Sequence, residues 1–136
     1  MKRLLSIFAI SFVLNIVWEN LHSYLYDNYM GGKITEFILL RASLADALAI
    51  TILLIPFLYI SFFRKRNWLV ILGGIIISIL IEWHGLGTGR WSYNDYMPII
   101  PILSVGLTPT IQLGILGYLS FIWQEYILSH HLSSKK

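Results

Sequence analysis

Long apolar stretches alternate with short polar segments along this sequence of 136 residues. An α-helix rises about 1.5 Å per residue, so about 20 apolar residues cross the roughly 30 Å hydrocarbon core of a bilayer. The stretches that meet or approach this length predict four transmembrane helices, at residues 4–26, 35–63, 68–84 and 109–128. The predicted fold class is all-α: a polytopic membrane protein that forms a single integral membrane domain over residues 1–136.

Capping and breaking residues indicate where these helices begin and end. Gly31 breaks the connection after the first helix, and Thr35 is a favourable N-cap for the second. Thr108 and Pro109 supply an N-cap and a first-turn proline for the fourth helix. Pro56 lies inside the second helix, where a membrane helix tolerates a kink.

The widest break in the apolar pattern lies between the third and fourth predicted helices. It contains a Gly-rich turn at residues 85–89, followed by the aromatic residues Trp91 and Tyr93 and by prolines. Residues 98–107 are apolar but interrupted by prolines, which predicts an interfacial or re-entrant segment packed on the bundle. We interpret this Gly/Pro/aromatic loop as an outer lid over a polar site.

Composition and charge support a membrane location. The chain is 57% hydrophobic and 12% charged, whereas soluble domains carry about 25% charged residues. Its basic residues flank apolar runs, which indicates membrane topology and no nucleic-acid partner. Cytoplasmic loops are enriched in Lys and Arg. The clusters Lys2–Arg3, Arg64–Arg66 and Lys135–Lys136 therefore predict that both termini are cytoplasmic.

Ionisable side chains within the predicted helices suggest a functional site, because they are costly in a bilayer. We predict that three of them, Glu82, Glu19 and Asp46, act as acid/base groups. Depths counted along the helices place them in the outer half of the bilayer. The predicted substrate-binding residues around them are His22, His84, Arg41, Trp91, Tyr93 and Gln112.

Residue spacing predicts that these polar groups face one another. Ser11, Asn15, Glu19 and His22 follow at steps of four, four and three, which is one helix face. Small residues that let membrane helices approach closely form further stripes. These stripes are Gly74 with Ser78, Ala42 with Ala45 and Ala49, and Gly114 with Gly117.

Structural roles are alternatives for several of these residues. Asp46 and Arg41 could form an ion pair within one helix, and Asn15 could join helices by a hydrogen bond. His22 and His84 could be solvated at the interface, and Glu125 could be structural.

Three kinds of chemistry fit the polar residues. A protonated carboxyl group can act as a general acid on an alkene, with aromatic walls stabilising the cation. Glu19 with His22, and Glu82 with His84, could bind a divalent metal, since Glu-x-x-His occurs in carboxylate-bridged bundles. The two histidines could instead ligate haem. We assign no metal, and the sequence identifies no cofactor. Cysteine is absent, which excludes thiolate chemistry.

Residues 82–109 resemble a motif of carotenoid-biosynthesis membrane proteins. The pattern is similar to that of bisanhydrobacterioruberin hydratases and of the small lycopene cyclase domain. After Pro109, where lycopene cyclases carry two carboxylates, this chain has Thr110, Ile111 and Gln112. The resemblance implies isoprenoid chemistry, with Glu82 as the acid/base residue at the matching position. The matching residues are Glu82, Gly85, Gly87, Thr88, Gly89, Trp91, Tyr93, Pro98, Pro101, Gly106, Leu107 and Pro109.

Two functions follow from the sequence. The first is a membrane enzyme that modifies a lipid or isoprenoid by carboxylate acid/base chemistry in a pocket in the outer half of the bilayer. The second is a non-catalytic membrane component, either a small-ligand binder or a subunit of a membrane complex, whose buried polar groups are structural. The expected partners are the lipid bilayer and a lipid-like small molecule, and the oligomeric state is unknown.

Overall fold

The computed structural model describes residues 1–133, and side chains as far as His130. Most of this part of the chain is helical. The predicted cytoplasmic residues Lys135 and Lys136 lie outside it. The helices are α1 (Lys2–His22), α2 (Glu36–Tyr59), α3 (Ser61–Arg64), α4 (Leu69–Gly87) and α5 (Leu107–Ser133).

Within residues 1–133, three helices are long and apolar enough to cross a membrane: Lys2–Leu25, Glu36–Tyr59 and Leu69–Gly87. Their outward faces are strongly apolar, and a soluble protein rarely exposes so large an apolar surface. The structure therefore confirms a membrane-embedded protein. Exposed residues on these faces include Leu5, Val13, Val17, Leu21, Leu40, Leu44, Leu48, Ile52, Leu72, Ile76 and Leu80.

Two of the predicted helix ends come too late. Helix α1 ends at His22 instead of residue 26, because a 3₁₀ turn (Ser23–Leu25) and strand β1 (Tyr26–Tyr29) follow. Helix α2 ends at Tyr59 instead of residue 63, because Ile60 has an extended backbone (φ −107°, ψ 119°) before α3 begins.

The other two ends come too early. Helix α4 continues to Gly87 instead of residue 84, and the Thr88 hydroxyl donates to the His84 carbonyl at 2.6 Å. Helix α5 begins at Leu107, two residues before Pro109, and continues past residue 128 to Ser133. Near the end of α5 the Ser129 hydroxyl donates to the Tyr126 carbonyl at 2.7 Å, so this polar residue does not stop the helix.

The all-α prediction is incomplete, because two short antiparallel ribbons join the helices. Strand β1 pairs with β2 (Trp91–Tyr93), with Tyr26 opposite Tyr93. Strand β3 (Ile99–Ile100) pairs with β4 (Val105–Gly106). The predicted re-entrant segment, residues 98–107, is thus a small β-hairpin that leads into α5. Ribbon pairing satisfies the backbone groups that the prolines prevent from becoming helical.

Helices α4 and α5 pack closely through glycines. A Cβ atom on Gly74 would overlap the backbone of Gly114, and one on Gly114 would lie 2.6 Å from the carbonyl oxygen of Ile71. The predicted stripes of Gly74 and Gly114 are confirmed as packing faces. The predicted stripe on α2 is confirmed only in part, because Ala49 packs against the hydrophobic core while Ala45 is exposed. Steps of four and three residues bury Ser43, Ala47 and Ile50, and the same period turns Ala45 outward.

The bundle has two ends of different character. The apolar end is defined by the buried residues that cluster where α1 and α4 begin and α2 terminates. The polar end is defined by the polar residues where α1 and α4 terminate and α2 and α5 begin. The apolar core contains Ile7, Ile50, Leu54, Phe57, Leu58, Val70, Leu113, Leu116 and Phe121.

Candidate functional site

A cavity of about 370 Å³ lies at the polar end of the bundle. The three predicted acids, Glu19 on α1, Asp46 on α2 and Glu82 on α4, all line it. Tyr26, Tyr29 and Trp91 supply aromatic walls, and further apolar residues complete them. The volume lies within the range of small-molecule sites, about 300–1,000 Å³.

Helical spacing explains why these acids point inward. The buried face of α1 repeats at steps of three and four residues, which is one side of a helix. The same holds for α4, where Gly74, Ser78 and Glu82 are buried at steps of four. The prediction from spacing is confirmed for both helices. On α1 the buried residues are Ile7, Ser11, Asn15, Glu19 and His22.

The amide of Gln112 connects three helices at the floor of the cavity. Its Nε2 atom lies 2.9 Å from Asn15 Oδ1, 2.7 Å from Glu19 Oε1 and 2.8 Å from Asp46 Oδ2. Gln112, Asn15 and Glu19 are all buried. The expectation that Asn15 joins helices is confirmed, since its partner Gln112 is on α5.

His22 extends this network toward the start of α5. Its Nε2 atom lies 3.3 Å from Glu19 Oε1, and its Nδ1 atom lies 3.4 Å from the hydroxyl of Thr108. Its ring also packs edge-on against Tyr26, with ring centroids 5.3 Å apart. His22 is buried and lines the cavity, so it is not solvated at an interface.

Glu82 is held by the ribbon that covers the cavity. Its Oε2 atom accepts hydrogen bonds from Trp91 Nε1, at 3.2 Å, and from the Tyr93 hydroxyl. The same hydroxyl accepts from the backbone N–H of Gly106, at 2.9 Å. Trp91 packs against Gly85, where a Cβ atom would overlap the indole. The lid residues thus contact the acid directly.

Tyr26 and Tyr93, two of the three tyrosines in the β1–β2 ribbon, have raised pKa values. Burial, with the hydrogen bond to Glu82, raises the pKa of Tyr93 above its ordinary value. Burial also raises the pKa of Tyr26, and the negative charge of Glu82 adds to this. Because the Tyr93 phenol keeps its proton at neutral pH, it acts as a donor to the Glu82 carboxylate.

Arg41 lines the cavity but does not pair with Asp46. Ion pairs among the described residues join Arg3 to Glu125 and His22 to Glu19. The predicted pair is wrong because five residues along a helix turn the two side chains about 140° apart. Arg41 instead lies over the Phe37 ring, 5.9 Å from its centroid. The Arg3 contact agrees with a structural role for Glu125.

Of the predicted site residues, only His84 neither lines the cavity nor contacts a residue that does so through a hydrogen bond. Its side chain is exposed and does not line the cavity. In the part of the chain that the structure describes, no group of three or more His, Asp or Glu side chains has the arrangement of a metal site. The catalytic and substrate-binding roles of the predicted residues stay predictions.

The structure adds residues that the sequence did not predict as part of the site. Ser78, Tyr26 and Arg90 line the cavity, and Thr108 contacts His22. Ser78 was recognised only as a small packing residue, although its spacing of four from Glu82 placed it on the same face. The position of Tyr26 in the cavity wall depends on the pairing of β1 with β2, which no local sequence pattern indicated.

Comparison with known proteins leaves the chain without an assigned family. No protein-family model, no curated protein and no solved structure matches it.

Proposed function

We propose that this protein is a four-span membrane enzyme that protonates an alkene of an isoprenoid or similar lipid. One observation carries the proposal: acids from three different helices line one cavity with aromatic walls. Each buried carboxyl group costs stability, so a purely structural bundle gains little from three of them. The resemblance of residues 82–109 to carotenoid-biosynthesis proteins supports an isoprenoid substrate.

Asp46 is the proton donor in this proposal. An amide nitrogen carries two hydrogens, yet Gln112 Nε2 contacts three acceptor oxygens. Two carboxylates that share one donor also repel each other, and a proton on one of them removes the repulsion. Glu19 has His22 as a second partner, whereas Asp46 has no second donor among the described residues. The proton therefore belongs on Asp46.

Glu82 is the proton acceptor. Two donors, Trp91 Nε1 and the Tyr93 hydroxyl, meet at one of its carboxylate oxygens and stabilise the negative charge. The aromatic rings of Tyr26, Tyr29 and Trp91 stabilise the cation that forms when the alkene is protonated. The cavity then contains a separate acid and base, as acid/base catalysis on one substrate requires.

The test uses purified protein in lipid nanodiscs with lycopene, an acyclic polyene, and liquid chromatography with mass spectrometry. We expect products that have gained the mass of water or have cyclised. Asp46→Asn should lower their rate of formation by at least about a hundredfold. Asp95→Asn, at an exposed position, is the matched control. Unchanged product formation by Asp46→Asn would exclude the proposed acid.

A non-catalytic role is the second candidate, and the Gln112 network favours it. Hydrogen bonds from Gln112 to α1 and α2 are of the kind that join membrane helices structurally. Under this alternative, no lycopene product forms, and Asp46→Asn changes the unfolding temperature alone. Native mass spectrometry of wild type and variant would show whether a lipid-like ligand is retained by the acids.

The proposed topology has four spans and both termini in the cytoplasm. Helix α5 supports a fourth span, since it has 27 residues and an outward face with Ile115, Leu119 and Ile122. Because the chain has no cysteine, each single-cysteine variant reports whether one position is accessible to a thiol reagent. In intact cells, Asp95→Cys should react with an impermeant maleimide, while Ser61→Cys and Ser129→Cys should not. If the maleimide labelled Ser129→Cys as well as Asp95→Cys but not Ser61→Cys, the fourth span would be excluded.

A further inference from the structure

Ser78 differs from the other buried hydroxyl groups of the helices. Ser11, Ser43, Thr110 and Ser120 each donate to a carbonyl three or four residues earlier, at 2.6 to 3.1 Å. This is the usual way in which a helix satisfies a hydroxyl group. The Ser78 side chain is 3% exposed, yet its Oγ atom has no hydrogen-bond partner among the described residues.

An unpaired hydroxyl group inside a membrane protein needs an explanation. Leaving such a group unsatisfied costs roughly 1–3 kcal/mol, and most buried polar groups in native structures are paired. Ser78 lines the cavity, and it lies one helical turn before Glu82 on the same buried face of α4. A polar group of a ligand inside the cavity would supply the missing partner.

We propose that Ser78 is a positioning residue for the water molecule that adds to the alkene. The inference rests on the proposed function, and it specifies the reaction as hydration. Asp46 gives its proton to one alkene carbon, and the other carbon becomes a tertiary cation. The water oxygen, held by the Ser78 hydroxyl, forms a bond to this cation, and Glu82 takes the proton that the water loses.

The net change is the addition of one water molecule across one double bond, with no oxidant or reductant. The proton returns from Glu82 to Asp46 through solvent before the next turnover. Without a positioned water, the cation loses a proton to Glu82 and gives a rearranged alkene of unchanged mass. The ratio of hydrated to unhydrated product therefore measures water positioning, which a purely structural role of Ser78 would leave unchanged.

The first experiment compares Ser78→Ala with wild type in nanodiscs containing lycopene. We expect the ratio of hydrated to rearranged product to fall about tenfold, as for loss of one hydrogen bond to the reacting group, while lycopene consumption changes less. Ser120→Ala removes a buried hydroxyl that is satisfied within its helix, and it should keep the wild-type ratio. An unchanged ratio in Ser78→Ala would overturn the inference.

The second experiment needs no turnover. Dihydromyrcenol is the tertiary alcohol formed by adding water to dihydromyrcene, so the two compounds differ at one site, where the alcohol has the hydroxyl group that Ser78 would bind and the hydrocarbon has a double bond. Wild type should bind the alcohol about tenfold more tightly than the hydrocarbon, and Ser78→Ala should lose this preference. Equal preference in wild type and Ser78→Ala would overturn the role of Ser78.

Failure of the inference can be told apart from failure of the proposed function. If wild type converts lycopene and Ser78→Ala keeps both the product ratio and the alcohol preference, only the inference fails. If wild type makes no product, the proposed function fails, and the alcohol preference alone decides whether Ser78 recognises a hydroxyl. If Ser78→Ala does not fold, Ser78→Cys replaces it in both experiments, because a thiol of similar size is a weak donor.

Discussion

The apolar end and the polar end of the bundle are made from the same helices but from opposite kinds of side chain. At the apolar end, Ile7, Leu54 and Val70 are completely buried among other hydrocarbon side chains. At the polar end, Glu19 and Glu82 occupy equivalent inward positions on α1 and α4. The comparison suggests that one end provides packing stability, while the other sacrifices stability for a reactive cavity. The following predictions test that division.

The largest effect is expected at the contact that holds both ends together. Gly74→Ala places a methyl group against the backbone of Gly114, and helix backbones cannot yield without separating. We expect the variant to lose about 3 kcal/mol or more of unfolding free energy, measured by thermal unfolding in detergent. Gly87→Ala, where an added Cβ meets nothing within 4 Å, is the control. Equal stability of the two variants would contradict close packing of α4 on α5.

Gln112→Leu should lower activity in the folded protein as well as stability. The change removes the donor shared by Asn15, Glu19 and Asp46, so the acids lose their common orientation and their shared hydrogen bond. Below the unfolding temperature we expect lycopene conversion to fall about a hundredfold, comparable to the loss of a general acid, while the unpaired acceptors lower the unfolding free energy by roughly 1–3 kcal/mol. The control is Gln124→Leu, another buried amide on the same helix but toward its other end. Equal activity losses in both variants would remove the distinction between the two ends.

Leu116→Ala, one turn beyond Gln112 on α5, should behave in the opposite way. Leu116 belongs to the apolar core, so its truncation leaves a cavity and costs about 2 kcal/mol of unfolding free energy. Below its unfolding temperature the variant should convert lycopene at the wild-type rate. Leu119→Ala, at an exposed position, is the control. A large activity loss in folded Leu116→Ala would show that the ends are energetically coupled.

The smallest expected effect concerns the link between lid and acid. Tyr93→Phe removes the hydroxyl that donates to Glu82 and accepts from the Gly106 amide. Loss of one such hydrogen bond costs about 1 kcal/mol. The rate of hydrogen–deuterium exchange at the Gly106 amide, measured by mass spectrometry, should therefore rise severalfold. Tyr96→Phe, an exposed position on the same loop, should leave the exchange unchanged. No change in Tyr93→Phe would mean that the ribbon is held without this bond.

The membrane helices and the buried faces of α1 and α4 were predictable from sequence. Apolar length determines whether a segment suits a bilayer, and steps of three and four residues bring side chains to one face. The inward positions of Asn15, Glu19 and Glu82 therefore followed from local spacing. The packing face of α2 followed only in part, because its alanines and Ser43 differ too little in polarity to show which side meets a neighbour.

The ribbons and the partners of the acids could not be predicted. Gln112 contacts Asp46 and Glu19 across 66 and 93 residues of sequence, and such pairs depend on how helices are positioned along one another. The hairpin at residues 98–107 arises from pairing between segments too short to show strand periodicity. The exposure of His84 depends on the rotation of α4 near its end, where Glu82 already faces inward.

By itself, the sequence determined that the chain enters a membrane and that acids lie on inward helix faces, because composition and helical period act over neighbouring residues. Tertiary structure alone decided that Asp46 and Glu19 share one amide, that Tyr93 reaches Glu82, and that Ser78 lacks a partner within the described part of the chain. These contacts require helices distant in sequence to pack at a particular register. That register is set by close backbone contacts such as Gly74 with Gly114.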